Sequence, residues 1–588
     1  MQFSKVILFL ILSLVISAKC TNAQNLNQNQ IYKAYTKTYG YVRFFHPSDE
    51  VLNLKDNKFA YYGVQKLQNI TTIQALKDSL TKIFKPIAPS IQFYLKGEQP
   101  QAFPTYANKD SLQLVFWQHR GLGLGNFYDK QQYIYKSVRI NSWKDTIFST
   151  YPKENECIEE EIAPNLFCKI PLTLYKDNIG TLPRTDTVVY NNIKKSLENI
   201  VVGNLTANDI NIRLANIVIF WNTINYFYPY FEEVGLNWNN ELDNVLVQAQ
   251  QPQTELEFLK LLQRTISKLQ DAHTWVSFPK IGGSFKFFPF RASWIKNKFL
   301  ITVSNDSLFK VGDEILALGG KDIKTVSKEV EKIIGGSTYL KTARCGQGNL
   351  GIGEANSNEK ITLKRKNKGK TKVLNILVSR NVEYVSEIPK PSREIEKGIF
   401  YINLTEDSLA YLKTFLPRLQ KAKGVIIEMR GYPNDDNLDF LGYLSPKPLQ
   451  CAKWNVPKVI NSAIKSIEYD TSGRWEIEPQ KEQITCKKVF LTNANAQSQA
   501  ETFMGIVEHY KLGEIIGQPT AGCNGNIAGF GLLGGYWFAF TGMKVLKHDG
   551  SQHHLIGIKP TIPITYSEKD ILEGRDLEME KALEILRK

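Results

Sequence analysis

The sequence predicts a multidomain α/β protein, and three observations point to it. After residue 395, short apolar strands such as "GIFYINL", "GVIIEM" and "KKVFLT" alternate with amphipathic helices, the pattern of a sheet covered by helices in layers. Upstream, two stretches near 90–200 and 285–385 alternate apolar and polar residues and read as β-rich. Around the first of these lie two aromatic helical segments that resemble each other. At 588 residues the chain exceeds what one core organises, and 43% hydrophobic with 22% charged residues is the composition of a globular protein.

The first residues, "MQFSKVILFLILSLVISAKCTNAQ", hold a long apolar run followed by small polar residues. They predict a secretory signal over 1–23, cut after Ala23. Cys20 raises lipid anchoring as an alternative, against which Lys19 stands, because that processing prefers a small residue before the cysteine. No later apolar run has the length of a membrane span, so an exported protein, periplasmic or secreted, is expected.

A helical module follows over 24–89 and again over 205–282. "YGYVRFFHPSDEV" and "NTINYFYPYFEEV" each run an aromatic helix into a proline, Pro47 or Pro229, which ends it. Acidic residues follow, then Leu54 or Leu236 at the same spacing. The aromatic stripes read as packing surfaces. Over 90–200, "SLQLVFWQHRGLGLG", "YIYKSVRI" and "DTVVY" read as strands of a β-rich, sandwich-like domain, with His119 satisfied inside its strand. Over 283–385, "LFKVGDEILALGGKDI" sets the strand "ILAL" between two turns, and "KRKNKGKTK" reads as the solvated tip of a hairpin. The alternating strands and helices fill 386–588.

A net charge of +15 would suit nucleic acid. Lysines are interleaved with carboxylates nearly everywhere, however, and the one dense basic block has no aromatic platform, so nucleic acid is not an expected partner. Six cysteines follow the signal: Cys157, Cys168, Cys345, Cys451, Cys486 and Cys523. Cys157 and Cys168 are close enough in sequence to pair, but the irregular spacing speaks against a disulfide scaffold or zinc ribbon. His548, His553 and His554 read as a turn between strands, and no metal or other cofactor is expected.

One stretch asks for chemistry. In "KKVFLTNANAQSQAETF", Ser498 stands where a strand ends and a helix begins. Locally it reads as a helix cap, with Glu501 completing a capping box. A strand-to-helix turn also exposes a side chain beside free backbone N–H groups, which a reacting carbonyl needs.

Taken in order, "LQDAHTWVSF", "GDEILALGGKDI", "GVIIEMRGYPN" and "VFLTNANAQSQAETF…GEIIGQPTAG" resemble the tail-specific, or C-terminal processing, serine proteases, a family that includes the tricorn core protease. The second segment alone resembles PDZ domains, which bind an extended peptide as an added strand. The resemblance covers about 205–588. It implies a crotonase-like α/β core over 386–588, a PDZ-like insert over 283–385, and Ser498 as nucleophile. Many members use a lysine 25 residues after the serine; Cys523 stands there, and a neutral thiol does not replace an amine. The tricorn-like branch instead has a histidine just before the insert, which implies His273 as general base. The family's C-terminal glutamate is missing from "KHDGSQHHLIGIKPT". Asp271, Glu501, Asp549 or an amide are alternatives for the third member, with Glu501 favoured as a support for Ser498. The oxyanion donors implied are the Gln499 N–H and, after "EMRG", Gly431 or Asn434, where Asn434 and Asp435 stand in place of a glycine pair.

The resulting expectation is an exported serine endopeptidase that cleaves flexible chains or C-terminal tails of peptides and unfolded proteins through an acyl-enzyme. The alternative is a catalytically weak relative that binds peptides or glycans. A third reading, Cys523 as nucleophile, lacks any sequence neighbour that would lower its pKa.

Overall fold

The structure is a computed structural model. It describes residues 25–54, 57–126, 134–140, 148–279, 285–346, 350, 353–354, 358–367, 370–380, 391–462 and 467–588. The predicted signal segment and Cys20 lie outside the described residues. Among the described residues, no helix is long and apolar enough to cross a membrane.

The C-terminal part is built on a six-stranded sheet, in the order Arg393–Glu396, Ile399–Asn403, Gly424–Met429, Lys487–Thr492, Glu514–Gly517 and Ile562–Pro563. The first pair is antiparallel and every other pair parallel. Successive side chains of a strand face opposite sides. Phe400, Ile402, Val425, Ile427 and Phe490 therefore pack against Ala500, Phe503 and Val507 of the helix Gln499–Tyr510. Ile399, Tyr401, Ile426, Val489 and Leu491 pack against Ala582 and Leu586 of the helix Leu577–Arg587. Helices on both faces explain why these strands read as unbroken apolar runs. The amphipathic segment "DSLAYLKTFLPRLQKA" forms two short helices, Leu409–Lys413 and Leu416–Leu419, because Pro417 has no N–H to continue the first.

The two helical segments each hold four helices in the same order. They are Gln28–Phe45, Asp49–Asn53, Lys58–Lys66 and Ile73–Phe84, then Ile210–Phe227, Phe231–Val234, Trp238–Ala249 and Glu255–Ser267. The two long helices meet at Gly40, where a Cβ would lie 1.9 Å from Asn222 Oδ1. Asn222 Nδ2 donates to Thr36 O at 2.8 Å across this contact. One hydrophobic core runs through both modules, strands of the 90–200 region and the hairpin Ile527–Gly531/Trp537–Thr541. Residues 89 and 205 thus mark changes of secondary structure within a shared core.

The region 90–200 contributes to two sheets. Gln92–Leu95, Leu166–Pro171 and Cys157–Ala163 form one. Gln113–Arg120 belongs to the other and pairs with Trp454–Val459 from the C-terminal part. The reading of "DTVVY" as a strand is corrected: it opens the helix Thr187–Glu198. The Asp186 carboxylate accepts from the N–H groups of Val188 and Val189, and Ile193 and Leu197 are buried four residues apart. Capping and helical periodicity here outweigh the β-branched pair. His119 lies buried in its strand, with Ser137 Oγ at 2.8 Å and Phe44 O at 2.7 Å. All six described cysteines are free thiols. Cys157 and Cys168 sit on neighbouring strands opposite Pro171 and Glu160 rather than each other.

Over 285–380, strands Phe290–Ile295, Lys298–Ser304, Glu314–Leu318, Asn358–Asn367 and Lys370–Ser379 form an antiparallel sheet. Helix Ile323–Glu331 packs on it through Ile323, Val326 and Val330. A second helix, Thr338–Arg344, leads back toward the C-terminal sheet.

Candidate active site

The strand Lys487–Thr492 is central in the parallel sheet, and the helix Gln499–Tyr510 starts just beyond its carboxyl end. Ligands of such sheets bind at that end. Ser498 is the last residue of the loop between them, directly before the helix, and its backbone is held at φ 58°, ψ −115°. Residues other than glycine occupy such angles at a cost of about 1–3 kcal/mol, and only where their surroundings enforce it. Here the Ser498 N–H donates to Cys523 O at 2.9 Å, while Ser498 O accepts from Glu501 N at 2.9 Å and Thr502 N at 3.0 Å. The hydroxyl does not bond back to the helix. The capping box therefore does not form, since a capping residue needs extended backbone angles. Ser498 remains partly accessible.

The buried Glu501 carboxylate faces away from that role. It accepts from Thr520 Oγ1 at 2.5 Å, Gly522 N at 2.8 Å and Cys523 N at 2.7 Å, and lies 3.1 Å from His553 Nε2. Burial alone would raise its pKa, but His553, Thr520 and the Cys523 N–H together hold it below the ordinary value. Glu501 thus fastens the turn whose Cys523 carbonyl holds Ser498.

His273 sits in the turn between the helix Glu255–Ser267 and the strand Trp275–Ser277. Its Nδ1 lies 2.9 Å from Thr541 Oγ1 and 3.3 Å from Cys523 Sγ. Asp271, fully buried two residues earlier, accepts at Oδ1 from His273 N at 2.9 Å, Thr541 Oγ1 at 2.8 Å and Cys523 Sγ at 3.1 Å. Its Oδ2 accepts from Thr541 N at 2.7 Å. Burial works against this carboxylate, yet the His273 and His554 imidazoles and the two N–H donors hold its pKa below the ordinary value. Burial also lowers the His273 pKa; Asp271 pulls it up and Arg344 pushes it down. Burial, then the Asp271 and Glu501 charges, raise the Cys523 thiol well above its usual value, so it stays protonated.

Arg344, at the end of the helix Thr338–Arg344, joins the two loops. It donates to Gln497 Oε1 at 2.6 Å and to Ala272 O at 3.2 Å, one residue before Ser498 and one before His273.

Of the candidate oxyanion donors, Gln499 is the first residue of its helix and Gly431 lies two residues past the end of the Gly424–Met429 strand. Asn434 is committed elsewhere: its N–H donates to Leu404 O at 3.2 Å, and its Nδ2 to Glu406 O and Asp407 O. Asp549 accepts from Ser551 within its own turn. His548 bonds Gln450 O, and the buried His554 stacks on Tyr230 with ring centroids 4.0 Å apart. Asp271, His273 and Cys523 offer atoms within 4.8 Å of one another that would suit a zinc-like cation. The Cys523 thiol is already hydrogen-bonded to Asp271 and lies 3.3 Å from His273 Nδ1.

Sequence reasoning named Ser498, His273, Asp271, Glu501 and Cys523; the fold brings Asp271, His273 and Cys523 into contact and ties Ser498 and Glu501 to the Cys523 backbone, while among the described residues no hydrogen bond joins Ser498 to His273. Sequence reasoning missed Thr541, Arg344 and Gln497. Nothing local marks them, because their roles arise from contacts across 72 to 270 residues.

Comparison with known proteins agrees with this architecture. The family model for peptidase family S41 matches residues 399–564. No curated protein matches the chain. Among solved structures, mature CPAF is similar at 14% identity and a TM-score of 0.50, covering 64% of this chain and 96% of that one. Mature CPAF complexed with lactacystin is similar at 13% identity and a TM-score of 0.50, over 64% and 98%. The photosystem II D1 C-terminal processing protease gives 15% identity and a TM-score of 0.38, over 59% and 92%. The strand–helix layers around Ser498 are thus the part of the chain that matches peptidase family S41, and mature CPAF shares the fold.

Proposed function

We propose that the protein is an exported endopeptidase that cleaves flexible chains or C-terminal tails of peptides and unfolded proteins, with Ser498 as nucleophile and His273 as general base. The observation that carries this reading is the strained Ser498 backbone, pinned through its N–H to Cys523, whose thiol touches His273. Strain of this kind concentrates at functional positions.

In the reaction, Ser498 Oγ attacks the substrate carbonyl carbon and its proton passes to His273 Nε2. The oxyanion that forms is steadied by the N–H groups of Gln499 and Gly431, with the start of the helix Gln499–Tyr510 adding its dipole. The carbon–nitrogen bond then breaks, His273 returns the proton to the leaving amine, and an acyl-enzyme remains on Ser498. Water, deprotonated by His273, releases the acyl group. The antiparallel sheet over 285–380 is read as a PDZ-like insert that captures the peptide beside the cleft.

The test is a Ser498→Ala protein. It is expected to lose hydrolysis of an unfolded protein substrate and labelling by a fluorophosphonate, while keeping its circular dichroism. Full hydrolysis by this variant would end the assignment.

A further inference from the structure

We infer that Thr541, with Asp271 behind it, is the positioning pair that fixes the tautomer of His273, so that Nδ1 carries the proton and Nε2 is left as the base. The inference rests on the reading of His273 as general base, and it supplies the third member that the missing C-terminal glutamate would have provided.

The argument is an accounting of protons. Asp271 receives four hydrogen bonds and is ionised, so it can only accept. The single proton of the Thr541 hydroxyl is therefore spent on Asp271 Oδ1, 2.8 Å away. What Thr541 Oγ1 offers to His273 Nδ1, at 2.9 Å, is a lone pair. Cys523 repeats the pattern: its thiol proton goes to Asp271 Oδ1 at 3.1 Å, and its sulfur presents lone pairs to Nδ1 at 3.3 Å. Among the described residues, two acceptors and no donor face Nδ1. A neutral imidazole carries one proton, and this cradle assigns it to Nδ1. When Ser498 gives up its proton, the imidazolium charge is met through Thr541 by the fixed Asp271 carboxylate, and no bond to Thr541 or Asp271 is made or broken. Cys523, where a lysine would stand in other members, thus serves as a weak second acceptor.

The experiment is nitrogen-15 NMR on the histidine-labelled full chain, with the His273 signals assigned by their loss in His273→Gln. The expected wild-type spectrum shows Nδ1 protonated and Nε2 unprotonated at neutral pH; a wild-type Nε2–H tautomer overturns the inference. Thr541→Val keeps the side-chain shape without the hydroxyl. It is expected to lower kcat about 10- to 100-fold with little change in KM and to populate the Nε2–H tautomer, because only the sulfur acceptor remains. Thr541→Ser should restore both readouts. Wild-type kcat and an unaltered tautomer in Thr541→Val also overturn it. Retained hydrolysis in Ser498→Ala would count against the proposed reaction but would leave the tautomer spectrum unchanged, so the two failures are distinguishable.

Discussion

Arg344 and Gln497 meet at 2.6 Å, so a side chain from the helix Thr338–Arg344, which lies between two strands of the antiparallel sheet, holds the residue just before Ser498. The same guanidinium reaches Ala272 O, just before His273. Arg344→Met keeps the stem and removes both donors. Hydrogen bonds from a charged donor are worth about 1.5–3 kcal/mol, so kcat/KM is expected to fall about 10- to 100-fold. Ser498 should still be labelled by a fluorophosphonate, more slowly. An unchanged kcat/KM would show that the two loops hold their places without this bridge.

Ser498→Gly is expected to abolish hydrolysis and yet stabilise the fold by about 1 kcal/mol. Glycine adopts φ 58°, ψ −115° without the clash that a Cβ meets there, although its freer unfolded chain offsets part of the gain. Urea unfolding of Ser498→Gly beside Ser498→Ala separates loss of strain from loss of the hydroxyl. Equal midpoints for the two variants would mean that the turn stores no strain.

Glu501→Gln is expected to act on stability as well as rate. The carboxylate accepts from Thr520, Gly522 and Cys523, and an amide would turn a donor toward at least one of those donors. Leaving buried donors unmet costs about 1–3 kcal/mol each. Urea unfolding should report a loss of about 2 kcal/mol or more, together with a fall in kcat as the Cys523 carbonyl shifts under Ser498.

Three histidines outside the proposed pair set the acid stability. Burial lowers the pKa of His46 to about 3 and of His119 and His554 to about 4. Unfolded, each titrates near ~6.5. The unfolded chain therefore binds protons that the native chain refuses. The stabilisation is fully present above about pH 6.5 and is lost progressively as pH falls toward about 4. The unfolding temperature is expected to drop steadily over that interval; a flat profile would contradict the buried neutral assignment. His273 is also lowered by burial, which places the acid limb of kcat/KM below about pH 6.5.

The C-terminal layers were readable because a strand covered on both faces is apolar throughout, and few architectures other than a helix-covered sheet alternate such strands with amphipathic helices. The place of Ser498 between a strand and a helix was readable locally, but the S-x-x-E signal pointed to a capping box that does not form, and only the resemblance of four separate segments pointed to a nucleophile. The repeat at Pro47 and Pro229 was legible locally. Less was legible where partners are distant. The Asp271–Thr541 contact joins residues 270 apart, and a threonine in "FAFTG" looks like any strand residue. "DTVVY" misled because two valines suggest a strand, while the decisive feature was the Asp186 side chain closing on the backbone ahead. The merging of both helical modules with the late hairpin into one core left no mark in either module alone.

That shared core has a consequence for how the protein comes into being. Phe220 packs edge-on against Phe538, ring centroids 4.9 Å apart, and Val456, Phe530 and Phe540 close the same interior. A ribosome delivers these residues only after most of the polypeptide has emerged, so the early half waits with an aromatic surface uncovered.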